Sequence, residues 1–216
     1  MILKNEYDLI FSLGGSCAVA KQLIFNNLRK CSLPFDWLFH FDNDSIEYLI
    51  YAFEFGFGDW MKFENLVELA PSERGDSELY QYKDILTGFN TIHDFEKPTT
   101  DHNAMIEVTS KYTRRINRML DYLSRANSVL LILDARYTVD QDLLVVLKMV
   151  IQKKYPALNI DLVLLQFNAN TDCDSTYANI QIRYIMRNHT AEEYNGRPKE
   201  WDFLENISLS EVIFHD

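Results

Sequence analysis

The stretch from Ser128 to Phe167 constrains the fold more than any other part of the chain. Ser128 to Asp134 (SVLLILD) is an apolar run; Leu143, Leu144, Leu147 and Ile151 then recur at helical spacing, and Ile160 to Phe167 is apolar again. Strand, helix and strand in about forty residues predict a βαβ crossover, which joins parallel neighbours in one sheet. Tyr7 to Leu13 (YDLIFSL) predicts another strand, broken by Gly14 and Gly15, after which Ala20, Leu23, Ile24 and Leu28 take helical spacing. Ile180 to Ile185 predicts a further strand. Asn103 to Arg125, with Ile106, Tyr112, Ile116, Leu120 and Leu123 on one side, predicts a long amphipathic helix leading into the strand at Ser128.

The middle, about residues 37–97, lacks clean alternation. Ile46 to Phe55 reads as a helix, and Asp44 with Glu47 as its capping box; the remainder reads as an irregular, aromatic-rich cap. With no repeat or low-complexity linker, the expectation is a single α/β domain over residues 1–216. It should have a mainly parallel sheet flanked by helices in a Rossmann-like layout, plus that cap.

Composition narrows the function. The chain has 216 residues, 47% hydrophobic and 25% charged, enough to bury one core. Its 21 Lys and Arg against 32 Asp and Glu give a net charge of −11, a field that repels nucleic acid and anionic membrane surfaces. No run approaches the ~18 apolar residues of a membrane span, and the start, MILKNEYDLIF, runs into acidic residues instead of a cleavage site. A cytoplasmic protein is expected. The three cysteines, Cys17, Cys31 and Cys173, are odd in number and outside any C-x-x-C pair, so neither a disulfide framework nor a thiolate zinc site is suggested.

The sharpest chemical feature is Gly14-Gly15-Ser16-Cys17 between a strand and a helix. A thiol on the first turn of a helix faces free N–H groups, which lower its pKa and can also receive an oxyanion. The plainer alternative is that the glycines make the turn, Ser16 caps the helix and Cys17 is a small buried hydrophobe. A phosphate cradle is disfavoured, because neither G-x-x-x-x-G-K-[ST] nor G-x-G-x-x-G is present.

Ser12 to Leu38, SLGGSCAVAKQLIFNNLRKCSLPFDWL, resembles the amino-terminal signature of a bacterial family of unknown function described as papain-like cysteine peptidases: S-L-G-x-x-C, a helix, then L-R-x-x-S-x-P-F-D-W. Ile92-His93-Asp94-Phe95 resembles a later family segment, and Arg114, Arg115 and Arg118 a following Arg-Arg-x-x-Arg, so the likeness runs from about Leu9 to Arg136. It implies a thiol hydrolase with Cys17 as nucleophile and His93 as general base. The chain departs from papain-like enzymes in having no glutamine ahead of the nucleophile, since Gln22 follows it. The strand-borne turn also looks closer to a Rossmann-like or SGNH-hydrolase layout.

Two carboxylates are candidates to orient the base. Asp134 ends a strand, and strand carboxyl ends line the ligand crevice of open parallel sheets; Asp36 comes with the matched motif. His189 could replace His93, while His40, His102 and His215 show no partner pattern. Asp42-Asn43-Asp44 is a weak D-x-D, and no spacing argues for a metal.

Lys111, Arg114, Arg115, Arg118 and Arg125 against Asp121 are expected to make the exposed side of the long helix basic. Together with Arg29 of the motif and Arg136 past Asp134, its arginines are candidates to bind an anionic group. The expected function is therefore a cysteine-dependent hydrolase or acyl-transfer enzyme acting on a small-molecule, peptide or glycan-linked substrate. Gly14, Gly15 and Ser16 would form its oxyanion or ligand turn, with no cofactor and no metal. A non-catalytic or transferase-like module binding an anionic sugar or nucleotide is the alternative, and an aromatic interaction scaffold, given 14 Phe, 12 Tyr and 3 Trp, a third.

Overall fold

The predicted crossover is the centre of the fold. The computed structural model describes residues 3–40, 42–70, 80–95, 102–167, 169–170, 172–186, 196, 198–210 and 213–214. In chain order the elements are β1 (Glu6–Tyr7), β2 (Leu9–Ser12), α1 (Ala18–Phe25), β3 (Leu38–Phe39), α2 (Asp44–Phe55), β4 (Leu66–Glu68), β5 (Tyr80–Asp84) and β6 (Asn90–Phe95). There follow α3 (His102–Arg125), β7 (Ser128–Ala135), α4 (Gln141–Lys154), β8 (Asn159–Phe167), β9 (Cys173–Tyr177), β10 (Ile180–Ile185) and β11 (Ser208–Leu209), with short 3-10 turns at Phe63–Asn65 and Lys199–Leu204. No described helix is long and apolar enough to cross a membrane.

The main sheet has the order β2-β7-β8-β10-β9; its first four strands are parallel and β9 runs antiparallel at the edge. Every residue of β7 is buried, because the strand is covered on both faces. Its side chains alternate between two apolar clusters: Leu130 and Ile132 pack with Val19 and Leu23 of α1, and Val129, Leu131 and Leu133 with Ile116 and Met119 of α3 and Leu144 and Leu147 of α4. Each such aliphatic side chain contributes roughly 1.5–3 kcal/mol by leaving water.

The middle of the chain differs from expectation. Among the described residues of 37–97, β3, β6, β5 and β4 form an antiparallel sheet in that order, and α2 packs beside α4. The strands are short, and the β5–β6 register shifts between Tyr80 and Tyr82, which erased the alternation in sequence. Nor are the aromatics a covering layer. The ring of Phe35 lies 5.1 Å from Trp60, 6.0 Å from Phe89 and 6.4 Å from Phe11 of β2, in the cluster that holds Leu131 and Leu133.

The α2 cap also differs. Asn43 is the N-cap without a side-chain capping bond, and Asp44 and Glu47 lie inside the first turn. The Asn43 amide instead accepts from Asp140 N–H at 3.1 Å and donates to the Thr138 carbonyl at 3.3 Å, tying the start of α2 to that of α4.

The turn after β2 is built on two close approaches. Leu13 N–H continues the ladder onto the Ile132 carbonyl at 2.8 Å, and Gly14 N–H donates to Ser12 Oγ at 2.9 Å. Gly14 and Gly15 then take φ of +98° and +97°. A Cβ on Gly15 would fall 1.6 Å from the Asp134 carbonyl oxygen, and one on Gly14 2.9 Å from the Phe89 ring. Gly56, also at positive φ (+111°), has nothing within 4 Å of its would-be Cβ. Gly56→Ala should therefore cost only backbone strain, about 1–3 kcal/mol, whereas Gly15→Ala should cost well over about 3 kcal/mol or abolish folding. Urea denaturation of the two variants side by side measures the difference.

Candidate active site

Cys17 stands where two parallel strands end. The Ser12–Ile132 register sets the end of β2 beside that of β7, and the glycine turn carries the chain over Asp134. The fully buried Ser16 hydroxyl donates to Asp134 Oδ2 at 2.6 Å and accepts from Ala18 N–H at 3.0 Å, so it caps α1 and ties the helix start to β7. Cys17 is the N-cap residue, with backbone angles already helical (φ −75°, ψ −3°) and its side chain making no capping bond. It is 8% exposed. One turn on, Lys21 N–H bonds the Cys17 carbonyl at 3.1 Å.

The expected lowering of the Cys17 pKa is not found. Burial pushes the thiol above its ordinary value and outweighs the opposing pull of its own backbone N–H, of Lys21 and of Arg136; the Asp134 carboxylate adds to the rise. The backbone N–H beside the sulfur favours the thiolate, but it does so in a place nearly closed to water.

His93 sits on β6 with its ring exposed, edge-on to Trp37 at 5.7 Å between centroids. The Lys21 ammonium lies 5.8 Å from the centre of the Trp37 ring, and the Arg29 guanidinium 5.6 Å from it. Partial burial beneath neighbouring groups lowers the His93 pKa; Asp94 opposes this and the Lys21 charge reinforces it. Lys21 thus bears on both Cys17 and His93. Among the described residues, no hydrogen bond joins the Cys17 sulfur to a histidine ring. His189 and His215 lie outside the described residues.

His40, which had no partner pattern in sequence, lies against the glycine turn. The antiparallel pairing of β3 with β6 delivers it there: its Nε2 is 3.2 Å from where a Gly14 Cβ would be, and Nδ1 is 2.8 Å from the Tyr137 hydroxyl. The residue is 2% exposed, and among the described residues Nε2 has no hydrogen-bond partner. Burial lowers its pKa to about 4, against the opposing influence of the Asp42 backbone, the Asp134 charge and the Leu13 backbone.

The carboxylates divide by partner. Asp134 is fully buried and engages Ser16. Asp36 accepts from Arg29 Nε at 3.1 Å and its terminal nitrogen at 2.8 Å, and from Leu33 N–H at 2.8 Å. Arg29 also donates to Ser32 Oγ at 2.8 Å, so Arg29, Ser32 and Asp36 of the matched motif close one ion-paired loop, with Trp37 at its end. Asp94, beside His93, is bonded to Lys111, Thr91 and Tyr112.

The arginines are not one cluster. Arg118 donates to the Ser32 carbonyl at 3.0 Å, Arg115 lies over the Tyr112 ring and acts on the Asp36 charge, and Arg114 is exposed on α3. Arg136 alone of the predicted set acts on Cys17. The loop that carries it is held by Gln166, whose amide donates to the Tyr137 carbonyl at 2.6 Å and accepts from Val139 N–H at 3.1 Å. Lys21 was missed in sequence, although its i, i+4 spacing from Cys17 on a helix was a legible signal. Two hollows of about 370 and 490 Å³ lie at the far strands, one beside Gln166 and Tyr184 and one beside Arg183 and Glu200; Cys17 lines neither.

A family model described as "Putative papain-like cysteine peptidase (DUF1796)" matches residues 8–170. An uncharacterised protein of Acanthamoeba polyphaga mimivirus, R408, is 27% identical over 140 residues, which cover 58% of this chain and 61% of that protein. The chain thus aligns with less than two thirds of that relative's length. No solved structure matches the chain.

The state of His40 gives a measurable pH dependence. Its folded pKa of about 4 lies below the 6.5 of a free imidazole, so the folded state binds fewer protons between these values, and the stability present above pH 6.5 is lost as pH falls toward 4. His40→Gln should remove about 2 kcal/mol of that acid sensitivity between pH 6.5 and 4.5. Urea midpoints of both proteins across this range test it.

Proposed function

The chain belongs to the DUF1796 family, and on that premise we propose that it is a cysteine-dependent hydrolase with Cys17 as its nucleophile. The observation that carries this reading is the position of Cys17: N-cap of α1, just past the carboxyl end of a parallel strand, fastened to the end of β7 through Ser16 and Asp134. A thiol there has helix N–H groups beside it and two cations, Lys21 and Arg136, acting on it.

Since burial raises the thiol and lowers His93, the resting pair is neutral thiol and neutral imidazole. His93 then takes the proton as the sulfur attacks the substrate carbonyl carbon, general-base activation in place of a standing ion pair. The carbonyl oxygen gains negative charge, which the backbone N–H groups opening α1 stabilise. The protonated imidazole returns its proton to the leaving group, and water, deprotonated by the same ring, releases the acyl group from sulfur. Asp134 acts in this scheme by holding Ser16, and with it the helix start, instead of by orienting His93.

A peptidyl vinyl sulfone, which forms a thioether far faster with an activated thiol than with an ordinary one, tests the reading. Mass spectrometry should place the adduct on Cys17. His93→Ala should slow its formation by roughly 10²-fold. Adducts confined to Cys31 or Cys173, or an unchanged rate in His93→Ala, overturn the corresponding assignment.

A further inference from the structure

We propose that the substrate carries a carboxylate next to the scissile carbonyl, and that Lys21 and Arg136 receive it; this rests on Cys17 being the nucleophile. The two cations approach the cysteine from different elements. Lys21 follows it by one turn of α1, so both side chains stand on the same helix face. Its ammonium is exposed, lies against the Trp37 ring, and among the described residues forms no ion pair. Arg136 arrives on the loop after β7, two residues past the Asp134 that holds Ser16, with its side chain exposed.

The neighbouring charges sharpen this assignment. Arg29 shares the Trp37 ring but is committed to Asp36, and Lys111 to Asp94. Asp134, the carboxylate that acts on Cys17, is buried and turned to Ser16. Among the described residues, the exposed charges that act on Cys17 are thus positive, in a chain of net charge −11. A carboxylate one or two bonds from the electrophilic carbon, as in an acidic residue at the cleavage point or a dicarboxylic acyl group, places its charge within a few ångströms of the sulfur. Lys21 reaches that space, and Arg136 can add a guanidinium fork.

Iodoacetate and iodoacetamide deliver the same carbon to the same thiolate and differ by one carboxylate, so the ratio of their rates cancels the thiol pKa. On the native chain at pH 7.5 and low salt, the iodoacetate-to-iodoacetamide ratio at Cys17 should exceed that of N-acetylcysteine amide by about tenfold. It should fall as salt is added. In the double variant Lys21→Gln, Arg136→Gln the ratio should return to the small-thiol value while iodoacetamide still labels Cys17, which also reports an intact site. Labelling of Cys17 with no preference for iodoacetate overturns the substrate class and leaves the nucleophile standing. Cys17 resisting both reagents while Cys173 reacts removes the nucleophile, and this proposal with it.

Discussion

The contact between Gly15 and the carbonyl of Asp134 sets the geometry of everything around Cys17. Only a residue without a Cβ lets the chain cross the end of β7 at that distance, and only φ near +97° turns it there. Once the backbone is in place, Ser16 stands over the Asp134 carboxylate, and a short hydroxyl-to-carboxylate bond of 2.6 Å locks it. Hydrogen bonds to a charged group are worth about 1.5–3 kcal/mol, and here the bond also satisfies a carboxylate with no access to water. The helix axis, the exposure of Cys17 and the reach of Lys21 all follow from this fastening.

The same fastening creates the tension at the sulfur. Drawing the helix start down onto the strand ends excludes water, which disfavours the thiolate, while the helix amide and the two cations favour it. Burial prevails. On the proposed reading, a bound anionic ligand would neutralise Lys21 and Arg136 and raise the thiol further, which favours a concerted proton transfer over a preformed thiolate. His93, kept neutral partly by Lys21, is in the protonation state that such a transfer needs.

Much of the scaffold was legible because it rests on local periodicity. Residues 128–167 alternate strand, helix and strand in runs long enough to decide each element, and the glycine pair could only be a turn. The middle was not legible, since strands of two to six residues with a register shift carry no usable alternation. The capping-box reading of Asp44 and Glu47 failed because Asn43 serves a neighbouring helix, a partner 97 residues away. His40 was invisible for a similar reason: it meets Gly14 only through the pairing of two-residue β3 with β6. Conversely, the motif around Pro34-Phe35-Asp36-Trp37 looked chemical, yet its charged members, Arg29 and Asp36, are bonded to each other.

That internal pairing connects the basic helix to the site in a way composition could not suggest. Arg118 holds the Ser32 carbonyl, and Arg115 acts on Asp36, so α3 braces the loop that ends in Trp37. Trp37 in turn carries Lys21 on its face and His93 at its edge. The arginines of α3 therefore reach Cys17 by positioning an aromatic ring rather than through their own fields. At physiological ionic strength the field of an exposed charge fades over about 8 Å of solvent. A net charge of −11 spread over the whole surface then matters less at the sulfur than one lysine a helical turn away and one arginine on the adjoining loop.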